Sequence, residues 1–350
     1  MPTIQSALQR AFLPLLIVLA IAPGLAPAHA QAESVVNIYS YREPKLIEPL
    51  LKAFTAKTGI KTQVVFANSG LVERISAEAQ NSPADVLLTN ESGLLFQAEE
   101  AGITAPLASA TIAAAVPAAL RDPEGHWFGL TRRARIVYAA KDRVPQNAIR
   151  YEDLADPKWR GKICIRSGQH TYNVALVAAM IAHLGEEKAE VWLTGLRDNL
   201  ARRPAGGDRE QVRDVHAGLC DLAVGNTYYM VAMLRSDAQK AWTENVKMLF
   251  PNAEDRGTHI NISGMSLLAH APHRDNATAL MEFLVSPEAQ KLYADIDGEY
   301  PVVSGITASE IVESWGPLKA DPIPLAKIAA LRRKASEMLD RVRFDAGPQS

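Results

Sequence analysis

Short apolar, β-branched runs alternate along this chain with longer segments whose apolar residues recur at helical spacing. No other feature limits its fold as much. The alternation reads as α/β, with strands feeding helices that pack back on a largely parallel sheet. Val35-Val-Asn-Ile-Tyr39 is the first strand, and Leu46, Ile47, Leu50, Leu51 and Phe54 then mark a helix that Gly59 closes. Residues 61–66 and 85–89 repeat the strand, each followed by a helix, at 71–80 and about 93–101. Strands at 126–131 and 136–139 lead into a second α/β block with strands at 162–166 and 220–225 and helices at 172–184 and about 189–200. The chain returns to the first block near 259–263, followed by a helix at 286–296 and C-terminal helices within 309–342. The expected architecture is two α/β lobes joined by crossing strands, with a cleft between them. Residues 31–130 and 260–310 form the first lobe, 131–259 the second, and 311–350 the C-terminal helices.

The first thirty residues stand outside this pattern. Met1 to Arg10 carries one positive charge and no acid, an apolar run broken by prolines follows, and Ala28-His29-Ala30 matches a cleavage signal. Residues 1–30 therefore read as a secretory signal peptide, too short and proline-rich to span a bilayer. The mature product is expected to be periplasmic, soluble and not membrane-spanning. The formal charge of −2 comes from 37 basic and 39 acidic residues, and leaving out Arg10 makes it −3. That balance argues against nucleic-acid binding, which favours a strongly basic face. Cys164 and Cys220 are the two cysteines. In an exported protein an even pair reads as a disulfide, with two buried thiols as the other reading.

In open α/β sheets, ligands sit outside the carboxyl ends of the strands. Here those ends carry Tyr39-Ser-Tyr-Arg42, Ser69-Gly70, Thr89-Asn90, Ser167 to Tyr172, and Asn226-Thr-Tyr-Tyr229. Five of the nine tyrosines, Tyr39, Tyr41, Tyr172, Tyr228 and Tyr229, fall in these segments, where random scatter would not concentrate them. Adjacent phenols at a strand end aim hard oxygen donors into the space beyond, and a hard, highly charged cation suits such donors. One core and one surface tyrosine is the other reading of the pair.

These residues resemble the ferric-ion-binding periplasmic proteins of bacterial iron ABC transporters, which are two-lobed type II periplasmic binding proteins with mixed sheets flanked by helices. The motifs are Asn37-Ile-Tyr-Ser-Tyr-Arg42, Phe54-Thr-Ala-Lys-Thr-Gly-Ile60, Ser82-Pro-Ala-Asp-Val86, Pro157-Lys-Trp-Arg-Gly161, Gly206-Gly-Asp-Arg209, Gly225-Asn-Thr-Tyr-Tyr229 and Glu299-Tyr-Pro-Val302. The resemblance implies a hinged monomer that closes on Fe(III) and hands it to an ABC permease. Its ligand tyrosines carry over to Tyr228, Tyr229 and Tyr172. In the first lobe the sequence departs from the pattern, with Glu43-Pro44 where many members carry histidine and Asn90 where some carry glutamate.

Three phenolates would neutralise Fe(III) and leave about three positions of an octahedron. Tyr39, Tyr41, Glu43, water, or carbonate or another synergistic anion are candidates for them. A period of two along a strand places Tyr39 and Tyr41 on one face. Arg42 and Arg132 could hold the anion through paired guanidinium bonds, assisted by Ser69 and Gly70 at a helix start. His170 reads as a solvated loop residue, and His126 and His259 as packing residues. The resemblance implies that Gly206-Gly-Asp-Arg209 is a structural turn whose Asp208 and Arg209 bond near the tyrosine loop. The alternative is a same-fold binding protein for a phosphonate, a thiamine-like cation or an iron chelate. No catalytic motif of the elbow, zincin or cysteine–histidine kind is present, so no enzyme is expected.

Overall fold

The chain forms nine strands among the described residues: β1 (Val35–Ser40), β2 (Lys61–Phe66), β3 (Val86–Thr89), β4 (Phe128–Ala140), β5 (Ile163–Cys164), β6 (Leu222–Asn226), β7 (Val246–Leu249), β8 (Ile260–Leu267) and β9 (Tyr300–Pro301). The computed structural model describes residues 34–348, and the expected leader at 1–30 lies outside them. Hydrogen-bonded neighbours run β2-β1-β3-β8-β4-β6-β5, with β7 and β9 also on β4. The pairs β1/β2, β1/β3 and β5/β6 are parallel, whereas β3/β8, β8/β4 and β4/β6 are antiparallel. The sheet is therefore mixed rather than largely parallel, because the chain passes between its halves as extended strand and not through a crossover helix.

β4 departs most from the sequence pattern. Two separate strands were expected at 126–131 and 136–139, yet Phe128–Ala140 is one strand of 13 residues. The intervening Arg132-Arg-Ala-Arg135 interrupts the apolar run, but Arg133 and Arg135 are buried against the carboxylates of Glu299 and Asp208. Pairing removes the cost that an unmatched charge would carry. The first half of β4 pairs with β8 and the second half with β6 and β7.

Helices follow the apolar spacing. Pro44–Thr58 buries Ile47, Leu50, Leu51 and Phe54, and Thr171–Leu184 is apolar on nearly every face because it is enclosed. The helix Asp208–His216 was not legible, since its sequence DREQVRDVH is mostly charged. One apolar core gathers Val36, Ile38, Phe54, Val86, Leu88 and Ile262, and another gathers Val137, Ile163, Val177, Leu193 and Val224. The last long helix, Leu325–Arg341, touches both: Leu325 joins the first core, and Ile328, Met338 and Leu339 join the second.

Cys164 at the end of β5 is bonded to Cys220, two residues before β6, with their Cα atoms 5.8 Å apart. The parallel register of β5 on β6 brings them together. The bridge closes a separation of 56 residues. Replacing both cysteines by serine is expected to lower unfolding free energy by about 2–4 kcal/mol, read from urea midpoints. An unchanged midpoint would show that closing this loop contributes nothing.

Candidate functional site

β6 ends in Gly225 and Asn226, and the helix Thr227–Leu234 starts without a break. A side chain at Gly225 would place its Cβ 2.3 Å from the Tyr138 ring, and the Tyr138 hydroxyl donates to the Asn226 carbonyl. From the other side Asp208 accepts the Asn226 N–H at 2.9 Å and Arg135 Nη1 at 2.6 Å. Asp208 thus bonds beside the tyrosine loop, as expected. The Gly206–Arg209 segment is, however, a helix start rather than a free turn, with the Gly207 N–H donating to Glu210 at 2.8 Å.

So held, Tyr228 and Tyr229 stand in the first turn of their helix with ring centroids 4.1 Å apart. Tyr172 is the second residue of Thr171–Leu184, and its hydroxyl lies 3.3 Å from that of Tyr228. Two helices therefore begin at the phenols and direct their positive ends toward them. Burial pushes the Tyr228 phenol well above the ordinary value, Tyr172 and Tyr229 add to this, and Arg133 opposes it. Burial also raises Tyr229, assisted by Tyr172 and Asp208. The pair is accordingly neutral at pH 7 when nothing is bound.

The three tyrosines line a cavity of about 370 Å³ together with Arg42, Arg133, Arg166 and Arg209. Arg42 is bonded to Asp297 and Glu299, Arg133 to Glu299 at 3.2 Å, and Arg166 to Asp208 at 3.3 Å. The Arg133 guanidinium faces the rings of Tyr172 and Tyr228 at 5.8 and 5.9 Å, and Arg209 lies 5.4 Å from the Tyr229 ring. Burial raises the Asp297 carboxyl. Burial alone would raise Glu299 as well, but Arg42 and Arg133 outweigh it and hold Glu299 low. Among the described residues no group of three His, Cys, Asp or Glu is gathered to hold a metal; the oxygen donors on this cavity's wall include the three phenols and the arginine-bound Asp297 and Glu299.

The family model for the bacterial extracellular solute-binding protein matches residues 81–316. The chain belongs to this family. Iron uptake protein A1 of Synechocystis is 43% identical over 309 residues, covering 87% of this chain and 86% of that protein. The crystal structure of apo ferric ion-binding protein A of Pasteurella haemolytica superposes with a TM-score of 0.86 at 46% identity, covering 89% and 98% of the two chains. A Trichodesmium protein in complex with iron and citrate ligands gives 0.85 at 40% identity, covering 89% and 99%. A putative 2-aminoethylphosphonate-binding periplasmic protein of Salmonella typhi is 27% identical over 316 residues, covering 84% of this chain and 90% of that protein.

Several residues expected at the cleft of this solute-binding protein lie elsewhere. Tyr39 and Tyr41 do share a face, but that face packs under the helix Leu71–Glu78, with Leu71, Val72 and Ile75 around them. The Tyr39 hydroxyl donates to Glu78 at 2.9 Å, outside the cavity. Tyr41 reaches the cavity wall, yet its hydroxyl accepts the Val72 N–H at 2.9 Å. Arg132 points away from the tyrosines and donates to the Pro301 carbonyl at 2.9 Å. Its neighbour Arg133 faces them instead, since side chains alternate along a strand. Ser69 and Gly70 do not line the cavity, where Asn68 stands. Glu43 does line it, paired with the exposed Lys45 at 2.9 Å. Arg42 is present but occupied by two carboxylates, which leaves it little to offer an anion.

His170 is not a solvated loop residue. It is half-buried at the cavity and caps the tyrosine helix, its Nδ1 accepting the Tyr172 N–H at 3.3 Å. His126 bonds Thr104 at 2.9 Å, and His259 is buried, as packing residues. Burial, with Arg166 acting on His170 and Arg135 on His259, holds both histidines down to about 3. The unfolded chain protonates near 6.5, so the stability that neutral burial supplies is intact above that pH and is lost as pH falls below it. The expected loss is up to about 1.4 kcal/mol per pH unit for each histidine. Denaturant midpoints at pH 7 and pH 5 for the protein and its His170→Gln variant test this, the variant losing less. Equal losses would show that His170 does not contribute.

Proposed function

We propose that this solute-binding protein is the periplasmic Fe(III)-binding component of an ABC importer, carrying iron to a membrane permease. The observation that carries this reading is the convergence of three phenol hydroxyls, from Tyr172, Tyr228 and Tyr229, at the mouths of two helices. Fe(III) is hard and triply charged, so three phenolates match it in donor type and in charge. The ion's own field expels the phenol protons, as for other metal-bound acids. The cavity is larger than one ion needs, and Arg166 and Arg209 keep its wall positive, which suits carbonate or another synergistic anion on the remaining coordination positions. The protein acts as a monomer whose lobes, 31–130 with 260–310 against 131–259, close on the ion. All three phenols belong to the second lobe, so iron is captured there first and the first lobe follows.

Ferric citrate added to purified apoprotein is expected to produce a visible phenolate-to-iron charge-transfer band and to raise the melting temperature. No band together with unchanged melting would sink the reading. The arginine-rich wall is what favours the second reading, an anionic ligand such as a phosphonate without iron. That reading requires 2-aminoethylphosphonate alone to raise the melting temperature while ferric citrate does not.

A further inference from the structure

The helix Leu325–Arg341 lies away from the phenols, yet one of its side chains touches both walls of the cleft. Arg332 Nη1 donates to Glu91 Oε1 at 2.7 Å, and Nη2 donates to Thr171 Oγ1 at 2.7 Å. Glu91 directly follows Asn90, and Thr171 directly precedes Tyr172; both Asn90 and Tyr172 line the cavity. Glu91 follows β3 in the half built on the first core, and Thr171 opens a helix of the second. We propose that Arg332 is a positioning residue that latches the two walls in the iron-holding arrangement and sets the placement of Tyr172. The proposal rests on the iron-binding reading for its kinetic arm and stands apart from it in its structural arm.

The surroundings of the guanidinium are built for it. The Glu91 side chain is fully buried, and its Oε1 also accepts the Gly93 N–H at 2.8 Å while Oε2 has no partner. A buried carboxylate so placed depends on its one cationic neighbour. Gly93 leaves the space: a Cβ there would lie 2.5 Å from Arg332 Nε and 2.6 Å from Cζ. A guanidinium can bond two partners in different directions at once, which an ammonium on a flexible stem does less well. Most of the Arg332 helix packs with the second core, so parting the walls breaks the bond to Glu91 and leaves that carboxylate without its cation. The bond therefore favours the closed form and slows release, with little influence on the first encounter.

The test uses Arg332→Lys and Glu91→Gln, which keep the charge and the helix cap respectively, each checked for a cooperative melt. Iron release to excess chelator, followed by the charge-transfer band, is expected to be about tenfold faster in both, as loss of one charge-assisted bond implies. Association should change by less than about twofold if the bond forms after capture. On a Tyr172→Phe background the same substitutions should have little further effect. Unchanged release, or full additivity with Tyr172→Phe, would overturn the proposal. Small-angle scattering of the apoprotein supplies an arm that needs no iron: Arg332→Lys is expected to be more open than the parent, and identical profiles would refute the latch. If the parent gives no iron band, the functional reading falls while the scattering result still judges the latch.

Discussion

Replacing Tyr228 and Tyr229 together by phenylalanine is expected to abolish Fe(III) retention without unfolding the protein. The change removes two of three clustered oxygen donors and leaves the rings in place. Partners one shell beyond a metal's ligands already cost about 10–100-fold in affinity apiece, so two ligands are worth at least about 10²-fold. The fold should tolerate the loss. The Tyr228 hydroxyl has Tyr172 as its hydrogen-bond neighbour at 3.3 Å, and burial raises both phenols of the pair, so deleting the hydroxyls relieves desolvated groups rather than breaking a scaffold. Competition against a chelator of known strength, beside a thermal melt, separates the two effects. Iron affinity within tenfold of the parent would remove the pair from the ligand set.

The second large effect is on pH. Tyr228 and Tyr229 are both raised above the ordinary phenol value, so each enters the complex by losing a proton that it holds at neutral pH. Binding should therefore release at least these two protons per iron, and each adds about a tenfold rise in apparent affinity per pH unit. Affinity thus rises with pH and collapses on acidification. The same raised phenols do not weaken the apoprotein in that range. A group with a raised folded pKa holds its stability below the unfolded value, near 10 for tyrosine, and loses it only as pH climbs past that point. Calorimetry in two buffers of different ionisation heat counts the protons, after correction for those taken up by the chelator. One proton or fewer per iron would contradict a tris-phenolate site, and Tyr229→Phe should lower the count by one.

Much of this arrangement was legible in the sequence where local pattern and chemistry agree. The alternation of strand and helix placed Tyr228 and Tyr229 at a strand end and Tyr172 at a helix start, and β6 and Thr171–Leu184 put them there. The period of two was right for Tyr39 and Tyr41 but could not say which layer covers their face. That depends on how the helix Leu71–Glu78 packs, a tertiary fact. The same period read along Thr131-Arg-Arg-Ala-Arg135 places Arg133 with Arg135 on one face and sets Arg132 apart, which is the local signal that distinguishes them. Asp297, Glu299 and Arg332 were out of reach. Their partners lie 255, 257 and 241 residues away in sequence, and no local pattern encodes such a pairing.

The buried, neutral phenols also bear on discrimination among ions. Before iron arrives, Tyr228 and Tyr229 present no anionic cage, and the arginines beside them are largely matched by Asp297, Glu299 and Asp208. Magnesium, calcium and zinc are held elsewhere by carboxylates, imidazoles or thiolates that are already ionised or need little persuasion. At the proposed site a guest would first have to strip protons from Tyr228 and Tyr229, which hold them more firmly than free tyrosine does. On the proposed site a divalent ion would gain less from that exchange than a trivalent one. Selectivity of this kind needs no tailored cavity radius; it follows from making the donors reluctant.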